Sequence, residues 1–233
     1  MKNQRLRLRF SLGVAAASLS HREIVAALEH AAITSRLPVV YSEGKRPAPQ
    51  ISIAAPLSLG ATSDCELVDI FLSDRVAPVD ALARLSGSLP DGLRALSAED
   101  VGISGPSLQS LLRWAEYEVG VLRPGLAGAD VQRAIDRLLL ADSMVAEYRR
   151  ENKVRSYDLR PLVLSLRLER EEDECFIIFM RLRAEQDRTA RVDQVVLALG
   201  LPAAQRIRRR CLYLDDTSPA VLAYRRLGQV DES

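Results

Sequence analysis

The residues best suited to chemistry lie near the start of the chain. His21 is one of two histidines, and it follows Ser20, which has the Ser-x-x-Glu spacing of a capping box with Glu23. The first turn of a helix offers unpaired N–H groups and a field that favours anions. The pattern predicts that Ser20 and His21 bind a phosphate-like group, with His21 able to act in acid–base chemistry. The spacing of a catalytic triad or metal site is absent here, so the sequence predicts no catalytic residue and no metal ligand.

A loop after the first predicted helix is the second candidate. Its sequence, YSEGKRPAP, has two prolines that stiffen the chain and a glycine that permits an unusual turn. Charged side chains on a stiff loop often carry function, although a plain connector between strands is an equal alternative. Besides Ser20 and His21, we predict an anion- or substrate-binding group made of Tyr41, Ser42, Gly44, Lys45 and Arg46.

Two strand-like segments carry arginine at every second residue. Side chains of this spacing lie on one face of a strand, and a cationic open sheet face can contact RNA phosphates. The alternative is a solvated face whose arginines pair with acids. Aromatic residues make up 5% of the chain and do not interleave with these arginines, which counts against base stacking. The predicted phosphate contacts are Arg5, Arg7, Arg9, Arg206, Arg208 and Arg210.

Composition narrows the class of protein. The chain has 233 residues, 48% of them hydrophobic, with a net charge of +1, so it can form a core but has no overall field for polyanions. Its three cysteines are far apart, which is typical of reduced thiols. The N-terminus resembles a signal peptide, but the arginine alternation and the capping box indicate folded structure instead. We expect a cytoplasmic protein with no membrane span and no cofactor.

The elements that position these residues follow a repeated order. Hydrophobic periodicity predicts β-α-β-β-α-β in the first half, and the same predicted order begins again after Gly105 and Pro106. This order is that of the ferredoxin-like arrangement. We therefore predict an α+β protein of two tandem ferredoxin-like halves with antiparallel sheets, at residues 1–105 and 106–216, followed by a tail at 217–233.

The segment from Leu19 to Leu72 also resembles a known family. Its signature has a Ser-His helix start, Leu-Pro, Tyr-Ser, a glycine- and proline-containing loop, a Pro-Leu-Gly run and an acidic strand. The sequence resembles the bacterial radical SAM-linked, or radical SAM-associated, family, a domain of unknown function. Lys45, Arg46 and Ala48 depart from the Phe, Asn and His of the family loop. The matching positions are Ser20, His21, Leu37, Pro38, Tyr41, Ser42, Gly44, Pro47, Pro49, Pro56, Leu59, Gly60, Glu66 and Asp69.

The resemblance implies a partner rather than an activity. The chain has no three-cysteine motif for an iron–sulfur centre, so it cannot itself carry out radical SAM chemistry. The first hypothesis is a non-catalytic accessory protein that presents a substrate, with RNA or the ribosome as candidates, to a radical SAM enzyme. The second, by analogy of fold alone, is an RNA-processing endoribonuclease with paired ferredoxin-like halves. The third is a purely structural protein-interaction module.

Overall fold

A computed structural model describes residues 1–123, 125–150 and 153–215. The predicted tail at 217–233 lies outside these residues. The described chain divides into two compact units: unit 1 contains Met1–Leu112 and residues 212–215, and unit 2 contains Arg113–Cys211. The chain therefore leaves unit 1 within one strand and returns to it within another. The first of these boundaries lies seven residues after the one predicted at Gly105 and Pro106.

Ten strands and five α-helices are present in the described residues. The strands are β1 Gln4–Leu12, β2 Ile51–Ile53, β3 Thr62–Leu72, β4 Leu93–Val101, β5 Leu112–Leu122, β6 Val145–Arg150, β7 Lys153–Asp158, β8 Val163–Glu171, β9 Cys175–Arg183 and β10 Ala204–Leu214. The helices are α1 His21–Thr34, α2 Pro78–Ser86, α3 Leu108–Leu111, α4 Gly128–Leu140 and α5 Val192–Ala198.

Unit 1 is built on antiparallel strands in the order β4-β1-β3-β2. The alternation of β1 places Leu6, Leu8 and Phe10 on one face, where they are buried together with Ile24 and Leu28 of α1. The amphipathic pattern of α1 thus buries the apolar stripe of the helix against the apolar face of the sheet.

The other face of the unit 1 sheet is also covered. Arg5 on β1 donates from Nη1 to the carbonyl oxygens of Gly102 and Gly105, at 3.3 and 3.2 Å. Gln109 of α3 donates from Nε2 to Ser52 Oγ at 2.8 Å and to the carbonyl oxygen of Ile53. The segment 102–112 is therefore part of unit 1, which is why the boundary comes after Gly105 and Pro106.

Unit 2 has the strand order β10-β5-β9-β8, in which β9 pairs antiparallel with both β5 and β8. Strands β6 and β7 form a separate antiparallel hairpin between α4 and β8. The core contains Phe176, Ile178, Met180 and Leu182 of β9, packed with Ile135 of α4.

The prediction of an α+β protein with antiparallel sheets is confirmed. The segment 39–42 forms two isolated bridges, from Val39 to Leu72 and from Tyr41 to Pro49. Within the described part of the chain, no helix is long and apolar enough to span a membrane.

Candidate anion-binding surfaces

The predicted capping box at the start of α1 is present. The Glu23 N–H donates to Ser20 Oγ at 3.3 Å, and the Ser20 N–H donates to Glu23 Oε2 at 2.7 Å. Hydrogen bonding by the Ser20 side chain, and then by its backbone, holds the pKa of Glu23 below its ordinary value despite the opposite effect of burial. These two bonds use N–H groups at the start of α1, where the sequence pattern predicted free donors for an anion.

Replacing Ser20 with alanine should lower the free energy of unfolding by about 1 kcal/mol, because the N–H of Glu23 loses its acceptor. Denaturant unfolding of the wild type and the variant measures this difference. Ser18, which is exposed two residues earlier, provides a matched Ser18→Ala control that should leave stability unchanged. Equal stability of Ser20→Ala and the wild type would contradict the capping role.

His21 is exposed at the first position of α1 and lines a small cavity together with the buried carboxyl group of Glu66 on β3. Side chains from loop 41–49 do not line this cavity. The structure thus brings His21 to an acidic neighbour rather than to the predicted cations Lys45 and Arg46. The remaining lining residues are Phe10, Leu12, Ile24, Ile53, Ala55 and Leu57.

The loop containing Lys45 and Arg46 is closed at its base. The Ser42 N–H donates to the carbonyl oxygen of Ala48 at 2.8 Å, and the Ala48 N–H donates to Ser42 Oγ at 3.1 Å. Gly44 has φ +128°, a backbone conformation that favours glycine. Tyr41, Lys45 and Arg46 are exposed. Ser42 and Gly44 therefore shape the loop, while Lys45 and Arg46 extend from its tip into solvent.

Two predicted phosphate contacts on β1 have a different role. Arg5 and Arg7 are 4% and 8% exposed and share the carboxylate of Asp69, which is fully buried. Arg5 Nη2 lies 2.6 Å from Asp69 Oδ2, and Arg7 Nε lies 2.8 Å from Asp69 Oδ1. The segment 102–112 covers this face, so the expected open cationic face does not form here. Only Arg9 of the three is exposed.

The arginines of β10 are placed as the sequence suggested. Arg206, Arg208 and Arg210 are exposed, and their alternation puts them on one face of the unit 2 sheet. A Cβ atom on Gly120 of β5 would approach the Cβ of Arg206 to 3.3 Å, so this face is the one opposite the core residues Val119 and Val121. Glycine at this position leaves room for the Arg206 side chain.

The neighbouring strands extend the same face. The register of β5, β9 and β8 places Glu118 opposite Phe179, and Phe179 opposite Arg167. We define the arginine face of unit 2 as Arg167, Arg170, Arg181, Arg206, Arg208 and Arg210 with the intervening Glu116, Glu118, Glu169 and Glu172.

Ion pairs connect the arginine face. Arg206 Nη2 lies 3.1 Å from Glu172 Oε2, and Arg210 Nη1 lies 3.0 Å from Glu169 Oε1. Arg170 donates to both oxygens of Glu118, each at 3.3 Å. Burial alone would raise the pKa of Glu118, but bonding to Arg170 and the charges of neighbouring arginines outweigh it. The pKa of Glu118 therefore lies below its ordinary value.

Arg167, Arg170 and Arg181 were not among the site residues predicted from the sequence. Their signal was present in the alternation of β8 and β9, but a bulge between Leu168 and Arg170 shifts the β8 pattern by one residue. Phe179 lies beneath Arg167, whose guanidinium carbon is 3.6 Å from the centre of the ring. The arginine covers this aromatic ring, so Phe179 is not exposed for stacking with a base.

Within the described residues, no group of three or more His, Cys, Asp or Glu side chains is placed to hold a metal ion. Cys65, Cys175 and Cys211, which all lie in this part of the chain, form no disulfide. The groups available to bind an anion at the candidate surfaces are therefore arginine side chains and backbone N–H donors.

Most of the chain matches the model of one protein family. The model of a family described as uncharacterized proteins conserved in bacteria, DUF2344, matches residues 5–192. The chain belongs to this family. The expectation of a bacterial domain of unknown function is confirmed by DUF2344. Its description does not mention a radical SAM enzyme, so that partner stays a prediction. No curated protein matches this DUF2344 chain.

Solved structures show a distant likeness of fold. A chain of a Cbf5-Nop10-Gar1 complex has a TM-score of 0.51 and 11% identity, covering 93% of this DUF2344 chain and 51% of that one. A chain of an H/ACA RNP bound to a substrate RNA containing 2'-deoxyuridine has a TM-score of 0.46 and 11% identity, covering 88% and 46%. The DUF2344 chain thus spans about half the length of these chains. At this identity, only the fold is comparable.

Proposed function

We propose that this protein is a cytoplasmic, non-catalytic recognition protein that binds RNA through the arginine face of unit 2. The observation that carries the proposal is the alternation of Arg206, Arg208 and Arg210 along β10, where all three are exposed. Arginines spaced this way along one strand match a row of phosphates, and each guanidinium can grip phosphate oxygens with two donors.

The ion pairs of this face are compatible with phosphate binding. In the pairs formed by Arg206 and Arg210, the arginine side chains are 53% and 39% exposed, and such pairs contribute about 0–1 kcal/mol each. A phosphate can therefore replace a glutamate at small cost. The face has six arginines against four glutamates, which leaves two positive charges in excess. This local excess supports polyanion binding although the whole chain is nearly neutral.

The expected mode of binding is tolerant of sequence. Phe179 is covered by Arg167, so this ring is not available as a platform of the kind on which RNA-recognition sheets stack bases. Contacts would be made mainly to the backbone, which positions an RNA without reading its bases. Affinity should then depend strongly on salt and weakly on sequence.

The strand orders support a finer assignment of the fold, in which each unit is ferredoxin-like. Unit 1 has the element order β1-α1-β2-β3-α2-β4 and the strand order β4-β1-β3-β2. Unit 2 has the corresponding order β10-β5-β9-β8 once the β6–β7 hairpin is treated as an insertion. Antiparallel sheets of this kind carry helices on one face. In unit 1 the segment 102–112 packs on the other face, whereas in unit 2 the other face is the arginine face.

The partner implied by the sequence resemblance is a radical SAM enzyme, to which this protein would present its substrate. Support for this part of the proposal comes from signature residues such as Ser20, His21, Leu37 and Pro38. Co-purification with a radical SAM enzyme from the same bacterium tests it. Loss of RNA binding would leave this test unaffected, so the two parts of the proposal can fail separately.

The test of the function uses a labelled single-stranded RNA and the full chain. We expect binding whose logarithm falls linearly with the logarithm of salt concentration, similar affinity for RNAs of different sequence, and no cleavage in single-turnover assays. Because His21 and Glu66 line one cavity, the endoribonuclease alternative predicts cleavage that His21→Ala abolishes. Such cleavage would overturn the non-catalytic assignment. Absence of RNA binding would instead favour the protein-interaction module.

A further inference from the structure

Unit 2 contains a cleft that does not share residues with the arginine face. Its volume is about 720 Å³, within the range of small-molecule sites. One wall comes from the end of β7 and the turn that follows, and the other comes from the end of β9 and the segment leading into α5. The lining residues on which the binding argument depends are Tyr157, Pro161, Gln186, Asp187 and Arg188.

Hydrogen bonds hold the first wall in place. Asp158 Oδ1 accepts from the N–H groups of Met144 and Arg160, at 2.9 and 3.0 Å. The bond from Met144 is the main reason that the pKa of Asp158 lies below its ordinary value, since burial has the opposite effect. The Arg160 side chain donates to the carbonyl oxygens of Leu139 and Val163, at 2.9 and 3.0 Å. The wall is therefore formed before any ligand binds.

The second wall is a closed turn. Ala184 and Thr189 form an antiparallel bridge, and the Ala190 N–H donates to the carbonyl oxygen of Arg183 at 3.0 Å. Thr189 Oγ1 donates to the carbonyl oxygen of Glu185. The lone pairs of this hydroxyl oxygen can therefore accept hydrogen bonds from other donors. Gln186, Asp187 and Arg188 extend from this turn and line the cleft.

The cations of the cleft differ in their pairing. Arg183 is paired with Glu185, and Arg191 is paired with Asp193 by two bonds of 3.1 Å. Arg188 is exposed and makes no ion pair within the described residues. One guanidinium is therefore available to a ligand, which suits a single phosphate better than a triphosphate.

The rest of the lining suits a flat body with polar edges. Pro161 and Leu162 provide apolar surface, and Tyr157 provides an aromatic ring. Gln186 and Asp187 offer an amide and a carboxylate, which are the groups that hydrogen-bond base edges and sugar hydroxyls. A planar ring, a sugar and one phosphate together match this set.

We propose that the cleft of unit 2 binds a nucleoside monophosphate, with the phosphate on Arg188 and the base against Tyr157 and Pro161. The site goes beyond RNA binding by the arginine face because it uses different residues. The same chemistry occurs in a free nucleotide and in the terminal nucleotide of a 5′-phosphorylated RNA. Both sources are therefore included in the test.

The test measures binding by calorimetry with adenosine and uridine monophosphates, the two nucleosides, inorganic phosphate and ATP. The monophosphates should bind at least tenfold more tightly than the nucleosides, phosphate or ATP. Arg188→Ala should weaken monophosphate binding at least tenfold, to the level of the nucleosides. Arg137→Ala, an exposed arginine on α4 of the same unit, is the matched control and should change nothing.

A 5′-phosphorylated trinucleotide and its 5′-hydroxyl counterpart identify the source. Tighter binding of the phosphorylated trinucleotide than of both its 5′-hydroxyl counterpart and the monophosphates assigns the cleft to an RNA end. Tighter binding of the monophosphates than of the phosphorylated trinucleotide assigns it to a free nucleotide. Failure of all phosphorylated ligands to bind, or equal binding by wild type and Arg188→Ala, would overturn the proposal. Arg206→Ala/Arg208→Ala/Arg210→Ala should bind monophosphates like the wild type, which separates this site from RNA binding by the arginine face.

Discussion

Replacing Asp69 with alanine should lower the free energy of unfolding by about 3–5 kcal/mol, the largest loss that we expect from a single substitution in unit 1. Asp69 is fully buried and accepts hydrogen bonds from the guanidinium groups of both Arg5 and Arg7. The substitution leaves two buried cations without their shared carboxylate. Denaturant unfolding measures the difference.

Glu99 provides a matched control for this prediction. In the register of the sheet, Arg7 lies directly opposite Asp69 on β3 and directly opposite Glu99 on β4. The two acids are therefore cross-strand neighbours of the same arginine. Glu99 is exposed, whereas Asp69 is buried. Glu99→Ala should therefore change stability by no more than about 0.5 kcal/mol. Equal effects of the two substitutions would show that burial of the pair is unimportant.

A triple replacement keeps the prediction testable if Asp69→Ala does not fold. Arg5→Met/Arg7→Leu/Asp69→Leu removes all three charges together and leaves apolar side chains of similar size. Replacing a complete buried ion network in this way is often neutral or stabilising. We expect the triple variant to fold with stability near that of the wild type. Failure of both Asp69→Ala and the triple variant would point to packing rather than to charge.

The sequence predicted what depends on neighbouring residues. Ser20 and Glu23 lie three residues apart, so their capping box could be read directly, and it is present. The alternation of arginines near the N-terminus predicted a strand, and β1 is present, with Leu6 and Leu8 between these arginines fully buried. Local periodicity is sufficient for such elements because their hydrogen bonds and their burial follow from spacing along the chain.

The sequence could not predict what depends on distant segments. Arg5 and Arg7 looked like an open cationic stripe, but both are buried. Arg5 bonds to Gly102 and Gly105 of the segment 102–112, and both arginines share the carboxylate of Asp69. On β10 the same alternating pattern does produce exposed arginines, because no described segment buries Arg206 or Arg210. The same pattern thus has two outcomes, which depend on what packs over the sheet.

The cleft of unit 2 was not predicted for a related reason. Its residues come from two stretches, 157–162 and 183–191, which are separated along the chain and meet only in the folded protein. Arg188 is conspicuous only because the arginines near it are paired with Glu185 and Asp193. Composition alone cannot distinguish a paired arginine from one that is available to a ligand.

Replacing Arg206, Arg208 and Arg210 together with alanine should weaken RNA binding about 10- to 100-fold at low salt. Each lost contact between an arginine and a phosphate should cost about 0.5–1 kcal/mol of binding free energy, as for an exposed ion pair. For single-stranded RNA, three lost phosphate contacts should also flatten the dependence of log affinity on log salt by about 2. Stability should change little because these side chains are exposed.

Two further variants show whether the effect belongs to this face. Arg36→Ala/Arg75→Ala/Arg84→Ala removes the same charge from exposed positions of unit 1, and it should leave the salt slope unchanged. Glu169→Gln/Glu172→Gln removes the carboxylates that compete for Arg210 and Arg206, so it should raise RNA affinity. If both triple variants lose affinity equally, net charge rather than the arginine face governs binding. If the glutamine variant binds no more tightly than the wild type, phosphates do not replace glutamates at these arginines, and the face is a self-neutralised surface.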